Sequence, residues 1–466
     1  MSGAGLRTPP RQSDQEARRD SRASSVMRAA VVAGTALLGV GLVAVVGRRQ
    51  QPDRPPDPSV ALSQRFSAAP GATVGERVSR LQDRVRIQPK DASGWAALGS
   101  AYVEAARVSA DPGYYPKAEG ALQQSLLLEP AANAAALSGM AALANARHDF
   151  AGALAWAEKA KALSPDQAAA WGPLGDALVE LGRYDEGFDA IQAMVDIEPS
   201  LASYARVSYA RELQGDVAAA AEALEAAARV APGRPEQAFA TFQLGELAWN
   251  AGRVEDAVSA YRRSAALDPD YVAPQAGLAR AAWAQGRTDE AIEAYRRVVD
   301  RLPAPQYLAE LADLYTVTGQ AQRAADQIAV LEAQGRILAA NGVNTSLEAS
   351  LFSADHRLGL EAGLAAARSE WDRRKSVFVA DALAWQLHVN GRHQEALVFA
   401  DQALRLGTAN AGFHFHRSQI ELALGQRDAA LFDLRRALEL NPHFSILHGR
   451  VAAEQLRELS NTSTER

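Results

Sequence analysis

From Ala92 onward, apolar side chains recur at helical spacing and the runs they form are cut at nearly regular intervals. Trp95-x-x-Leu98-Gly99-x-x-Tyr102 and Trp171-x-x-Leu174-Gly175-x-x-Leu178 put bulky, bulky, small and bulky side chains at i, i+3, i+4 and i+7, one face of a helix that packs on a partner. The small residue lets that partner come close. Turns follow at Leu181-Gly182-Arg183-Tyr184-Asp185-Glu186, at Ala251-Gly252-Arg253, and at Gln285-Gly286-Arg287. Glycine takes the left-handed cap that ends one helix, and acidic residues then fall in the first turn of the next, where the helix dipole favours them. Second helices run through Ala257, Tyr261 and Ala265, or Ala291, Tyr295 and Val298, and stop at Pro269 and Pro303 because proline cannot continue the hydrogen-bond ladder. Pro165, Pro199 and Pro232 close three other units, and Gly215, Gly319, Gly391 and Gly425 keep the spacing. A period of about thirty-four residues predicts stacked helical hairpins, none of which buries its own apolar face alone.

This pattern resembles the tetratricopeptide repeat: the Trp-Leu-Gly-Tyr signature, the small residue that opens the second helix, the aromatic residue four positions on and the closing proline fall in register. The resemblance runs from Glu76 to Phe444 and implies an all-α, right-handed superhelical α-solenoid of about ten units, beginning near residues 92, 132, 168, 201, 238, 272, 305, 343, 377 and 411. Residues 74–340 hold about seven units, and residues 341–444 an irregular unit and two more. The first unit carries an insertion, Ser109 to Pro116. Asn341-Gly342-Val343-Asn344 breaks the register, so the array bends there or splits in two. Ser445 to Leu459 reads as a solvating cap helix, and the residues after it as a polar tail.

The first residues have another texture. Residues 1–28 are rich in Arg, Ser, Pro and Gln without apolar periodicity, and 48–73 are Pro-rich; both read as disordered, the second as a linker. Between them Ala29 to Gly47 is uncharged and apolar, long enough to cross most of a hydrocarbon core about 30 Å thick. It reads as one transmembrane helix and signal anchor rather than a cleaved signal, since the run exceeds the usual apolar core of a signal and no small-x-small site follows. Arg7, Arg11, Arg18, Arg19, Arg22 and Arg28 precede it and Arg48, Arg49, Arg54 and Arg65 follow, a bias that leaves the N-terminus cytoplasmic and the repeats periplasmic or extracellular.

Composition narrows the chemistry. Net charge is −6 over 466 residues, which supplies no broad basic surface for a phosphate backbone and argues against nucleic acid. Cysteine is absent, so disulfides, thiolate metal sites and thiol nucleophiles are excluded together. Arg far outnumbers Lys, a coding bias that fits a bacterial genome of high GC content. No phosphate-binding, nucleophile-elbow or zinc-protease motif occurs, and no segment is left over for a catalytic domain. His414 and His416 point to different sides of one helix, and His388 and His393 straddle a turn without carboxylates around them; no metal or cofactor is expected and the chain reads as non-catalytic.

The resemblance implies a concave groove lined by first helices, with protein or an extended peptide as partner. Carried over position by position, it comprises Tyr209, Glu212, Phe239, Phe242, Glu246, Trp249, Asn250, Arg280, Trp283, Asp313, Phe378, Asp381, Trp385 and His388. Trp249 and Trp283 occupy the same position of adjacent units and face either the groove or the core of the next unit. The chaperone-binding Lys and Asn arrangement is absent. The implied role is a membrane-tethered scaffold; Pro89-Lys90-Asp91-Ala92-Ser93-Gly94-Trp95 is also similar to the start of the repeat domain in cytochrome c maturation proteins, which implies instead an assembly factor in such a pathway.

Overall fold

The computed structural model describes residues 73–464, and these form twenty-two α-helices without a strand. The expected N-terminal tail, the apolar segment 29–47 and the linker that follows lie outside the described residues. Among the described residues no helix is long and apolar enough to cross a membrane. Helix α1 (Val74–Ile87) opens on a capping box in which Thr73 and Glu76 exchange hydrogen bonds.

Ten hairpins follow. Their helices are α2 (Ala92–Ser109) and α3 (Tyr114–Leu128), α4 (Ala134–Ala146) and α5 (Phe150–Leu163), α6 (Ala168–Glu180) and α7 (Tyr184–Ile197), then α8 (Leu201–Leu213) and α9 (Val217–Val230). The array continues with α10 (Arg234–Asn250) and α11 (Val254–Leu267), α12 (Ala273–Ala284) and α13 (Thr288–Arg301), and α14 (Pro305–Val317) and α15 (Ala321–Ala340). Last come α16 (Ser346–His356) and α17 (Leu360–Arg373), α18 (Val377–Val389) and α19 (His393–Ala403), α20 (Ala411–Ala423) and α21 (Arg427–Leu440), and α22 (Gly449–Thr464).

The turn chemistry is as the spacing predicts. Gly182 has φ +79°, its N–H donates to the Val179 carbonyl at 3.0 Å, and the Arg183 N–H reaches Leu178 at 2.9 Å, which satisfies the last carbonyls of α6. Asp185 and Glu186 open α7, and Arg183 pairs with Glu186 at 2.5 Å. Between hairpins, close approach explains the small residues: a Cβ on Gly277 would lie 2.7 Å from the Tyr261 ring, so the fully buried tyrosine of one unit needs a glycine in the next.

Stacking stops once. Every second helix packs on the first helix of the following hairpin except α15, against which α16 does not pack. The array is therefore split at the Asn341–Asn344 interruption, with α1–α15 forming one array and α16–α22 a second. The second array returns to the first at a nearly constant separation. The Asn344 N–H donates to the Arg147 carbonyl at 3.0 Å, Tyr184 O–H receives the Val377 N–H at 2.8 Å from 193 residues away, Thr408 O–H donates to Leu213 O at 2.6 Å from 195, and Asn441 Nδ2 donates to Trp249 O at 2.9 Å from 192. The hairpin turns of the first array thus abut the connections between hairpins of the second. His148 takes a glycine's place in the second unit's turn with φ +58°, and its Nδ1 lies 2.6 Å from Asn344 O, which holds a residue that rarely adopts this conformation.

Two loops turn inward. The insertion in the first unit ends α2 with Ala110 at φ +53°, and Ala110 packs on the apolar cluster of α12–α14. Arg107 beside it is half-buried, and desolvation lowers its pKa to about 10 against the opposing effect of nearby Tyr271 and Tyr115. The segment expected to begin the cap helix instead forms the α21–α22 connection: Ile446 is buried in that same cluster, and α22 starts only at Gly449 and carries helix through the expected tail to Thr464.

Candidate functional site

The first helices α8, α10, α12 and α14 carry most of the anticipated groove residues, whose polar members form separate clusters beside buried aromatic rings. Arg280 lies over the Trp249 ring, 4.7 Å from its centroid, and forms ion pairs with Glu246 and, at 3.6 Å, Glu310. Tyr261 donates its hydroxyl to Glu246 and Tyr295 donates to Glu310 at 2.8 Å. One guanidinium thus serves two carboxylates. Burial alone would lower the Arg280 pKa, but Glu246 overcomes that and holds it raised; burial pushes Glu310 up. Toward the N-terminus, Tyr209 donates to Glu180 at 3.3 Å and exposed Asn250 donates to Glu212 at 2.9 Å. Burial raises both of these carboxyls, that of Glu180 to about 7.

Phe242 belongs to the packing between helices, 5.7 Å from Tyr261 and 5.5 Å from Tyr271 by ring centroids. Trp249 and Trp283 are brought together at adjacent units, 4% and 9% exposed, because the α21–α22 connection lies on them. The His443 ring is 6.5 Å from Trp249 and 6.2 Å from Trp283, edge-on to the latter at 83°. With Asn441 bonded to the Trp249 carbonyl and Ile446 buried in the apolar cluster that includes Trp283 and Tyr307, this stretch of the groove holds a turn of the same chain.

Trp385 and His388 stand apart, in the second array. Trp385 is stacked between His388, 5.1 Å away and 5° from parallel, and His416, 4.3 Å away at 12°, and its indole donates to Asp355 at 2.8 Å. Burial, with His393, His416 and Arg357 nearby, lowers His388 to about 4. His448 reaches Asp355 at 3.0 Å, so the 441–448 connection touches both aromatic groups. Asp313 receives His356 at 2.8 Å, and Asp381 receives His416 at 2.9 Å. Among the described residues no group of three His, Cys, Asp or Glu side chains is placed to hold a metal ion. Sequence reasoning did not single out Asn441, His443, Ile446 or Ala110: it put the first two at the end of the last unit, Ile446 in the cap helix and Ala110 in the first unit's insertion.

Profiles of the tetratricopeptide repeat match residues 146–202, 209–272, 248–314 and 411–444. These segments are tetratricopeptide repeats. No curated protein matches the chain. Among solved structures, a tetratricopeptide repeat protein from Parabacteroides merdae ATCC 43184 is 17% identical, with a TM-score of 0.34 over 56% of this chain and 98% of that one. Two structures of MamA are 19% and 20% identical with TM-scores of 0.29, over 36% and 35% of this chain and 91% and 94% of theirs. Likenesses this remote say nothing of a ligand. Tetratricopeptide repeats suggest a protein–protein interaction scaffold.

Proposed function

We propose that this protein is a non-catalytic scaffold that binds extended polypeptide on its concave face and is held at a membrane by the apolar segment Ala29 to Gly47, with the repeats on the far side from the cytoplasm. One observation carries the binding reading: the Trp249 and Trp283 face already holds a stretch of polypeptide, the turn from Asn441 to Ile446, through a backbone-directed hydrogen bond, an aromatic contact and an apolar anchor. Those are the kinds of contact that a bound peptide segment offers. A partner segment displaces this stretch or extends from it along the open rim at Asn250 and Glu212.

The test is co-purification of the full chain from detergent-solubilised membranes. Asn441→Ala with His443→Ala loosens the resident segment and raises recovery of a defined partner, while Asn250→Arg at the open rim lowers it. Unchanged recovery in both variants removes the groove from the function. Recovery of the intact chain in the soluble fraction removes the tether, and selective enrichment of c-type apocytochromes redirects the reading to an assembly factor.

A further inference from the structure

The α15 helix is the one second helix without a successor, and its sequence and exposure show what is missing. Second helices α5, α7, α9, α11, α13, α17 and α21 each have 14 residues, whereas α15 has 20, and only Ala324 in it is buried. Ile328 and Leu331 stand where α13 has Tyr295 and Val298. Those two are 0% and 3% exposed under α14, but Ile328 and Leu331 are only half-buried because no helix follows. The open face continues through Ala325, Ile328, Glu332, Gly335 and Ala339, spaced three and four apart and so on one side of the helix. Gly335 looks into open space: a Cβ built there meets nothing within 4 Å.

We propose that this face is a homotypic interface, at which α15 of a second copy packs antiparallel across Gly335. The charges choose the occupant. Glu332 and Arg336 are exposed and form no ion pair among the described residues, unlike Arg296 and Glu293 on α13, which pair at 2.8 Å. They stand equally far on either side of Gln334. A two-fold axis passing near that residue therefore sets Glu332 of each copy opposite Arg336 of the other, twice, with Gly335 allowing close approach of the two backbones and Ile328 and Leu331 supplying apolar contact. A helix that had to continue the solenoid within one chain would need no such self-complementarity. A two-fold pairing also supplies each open array end with the neighbour that stacked hairpins require.

The chain has no cysteine, so single cysteines report the geometry directly. In the purified full chain, Gly335→Cys is expected to form a disulfide-linked dimer on mild oxidation, while Val330→Cys, on the opposite side of α15, does not. Adding Glu332→Arg to Gly335→Cys sets like charges opposite each other and lowers the linked fraction several-fold; adding Arg336→Glu as well restores it. Circular dichroism confirms unchanged helix content in each variant. The proposal is overturned if Gly335→Cys and Val330→Cys link equally or not at all, or if the double charge reversal fails to restore linkage. It is equally overturned if the thiol introduced by Gly335→Cys is shielded from maleimide in a chain that stays monomeric, which would make another part of this chain the occupant.

Discussion

Arg374, in the connection between α17 and α18, is ion-paired with Glu180 at the end of α6, 194 residues away and on the other array. Both side chains are almost fully enclosed, and Arg374 also holds Glu370 at 2.5 Å and lies over the Phe150 ring at 4.6 Å. This guanidinium is a buried charged centre of the contact between the arrays, beside hydrogen bonds that join the side chains of Tyr184, Thr408 and Asn441 to backbone groups.

Removing it should separate the arrays before either unfolds. Arg374→Ala leaves Glu180 and Glu370 buried without their shared cation, a loss of about 3–5 kcal/mol. Thermal unfolding followed by circular dichroism is expected to show an added, earlier transition for the shorter array. Arg374→Met with Glu180→Gln, which removes the charge on both sides of the interface, is expected to recover part of the loss; an equal loss in both variants would assign the effect to packing.

Glu180 also predicts a pH dependence. Burial raises its carboxyl from the ordinary value near 4.5 to about 7, so the folded protein holds a proton there that the unfolded chain has released. The stability this gives is complete below pH 4.5 and fades as pH rises through about 7. Glu180→Gln cannot titrate and should therefore flatten the decline in melting temperature between pH 5 and pH 7, measured beside the parent chain. A parent curve that does not fall more steeply than the variant's in that window contradicts the burial-driven shift.

The repeat architecture is legible in single residues because its turns demand particular ones, as at Gly182 and Gly286, and because a proline follows most second helices. The second unit's turn escapes that code, since His148 holds a left-handed conformation only with Asn344 bonded to it. The interruption at Asn341 to Asn344 is visible in the sequence, but the return of the second array is not. Thr408 and Asn441 donate to the carbonyls of Leu213 and Trp249, and a backbone acceptor leaves no mark on residue identity. For the same reason the position of Trp249 in its unit leaves groove and core equally open until the segment covering it is seen.

That segment fixes what the tryptophans do for stability. Trp283→Ala and Trp249→Ala each remove a nearly enclosed ring and should cost about 3–5 kcal/mol, read by urea unfolding. Because His443 lies against both rings, the cost of either substitution should shrink in a His443→Ala background, a coupling measured by the double-mutant cycle. Strict additivity would show that the 441–446 stretch rests on the rings without being held by them.

The turn glycines provide an internal control for the docking of the arrays. Gly215 and Gly286 share a left-handed backbone, with φ of +74° and +80°, so alanine costs each roughly 1–2 kcal/mol in strain. Only Gly215 faces the second array: its Cβ would stand 2.3 Å from the Gly407 carbonyl oxygen, whereas at Gly286 nothing lies within 4 Å. Gly215→Ala must therefore push the connection between α19 and α20 outward and break the Thr408 bond to Leu213. It should destabilise more than Gly286→Ala and, unlike it, speed amide exchange at residues 405–410. Equal exchange in the two variants would mean that this connection moves independently of the turn beneath it.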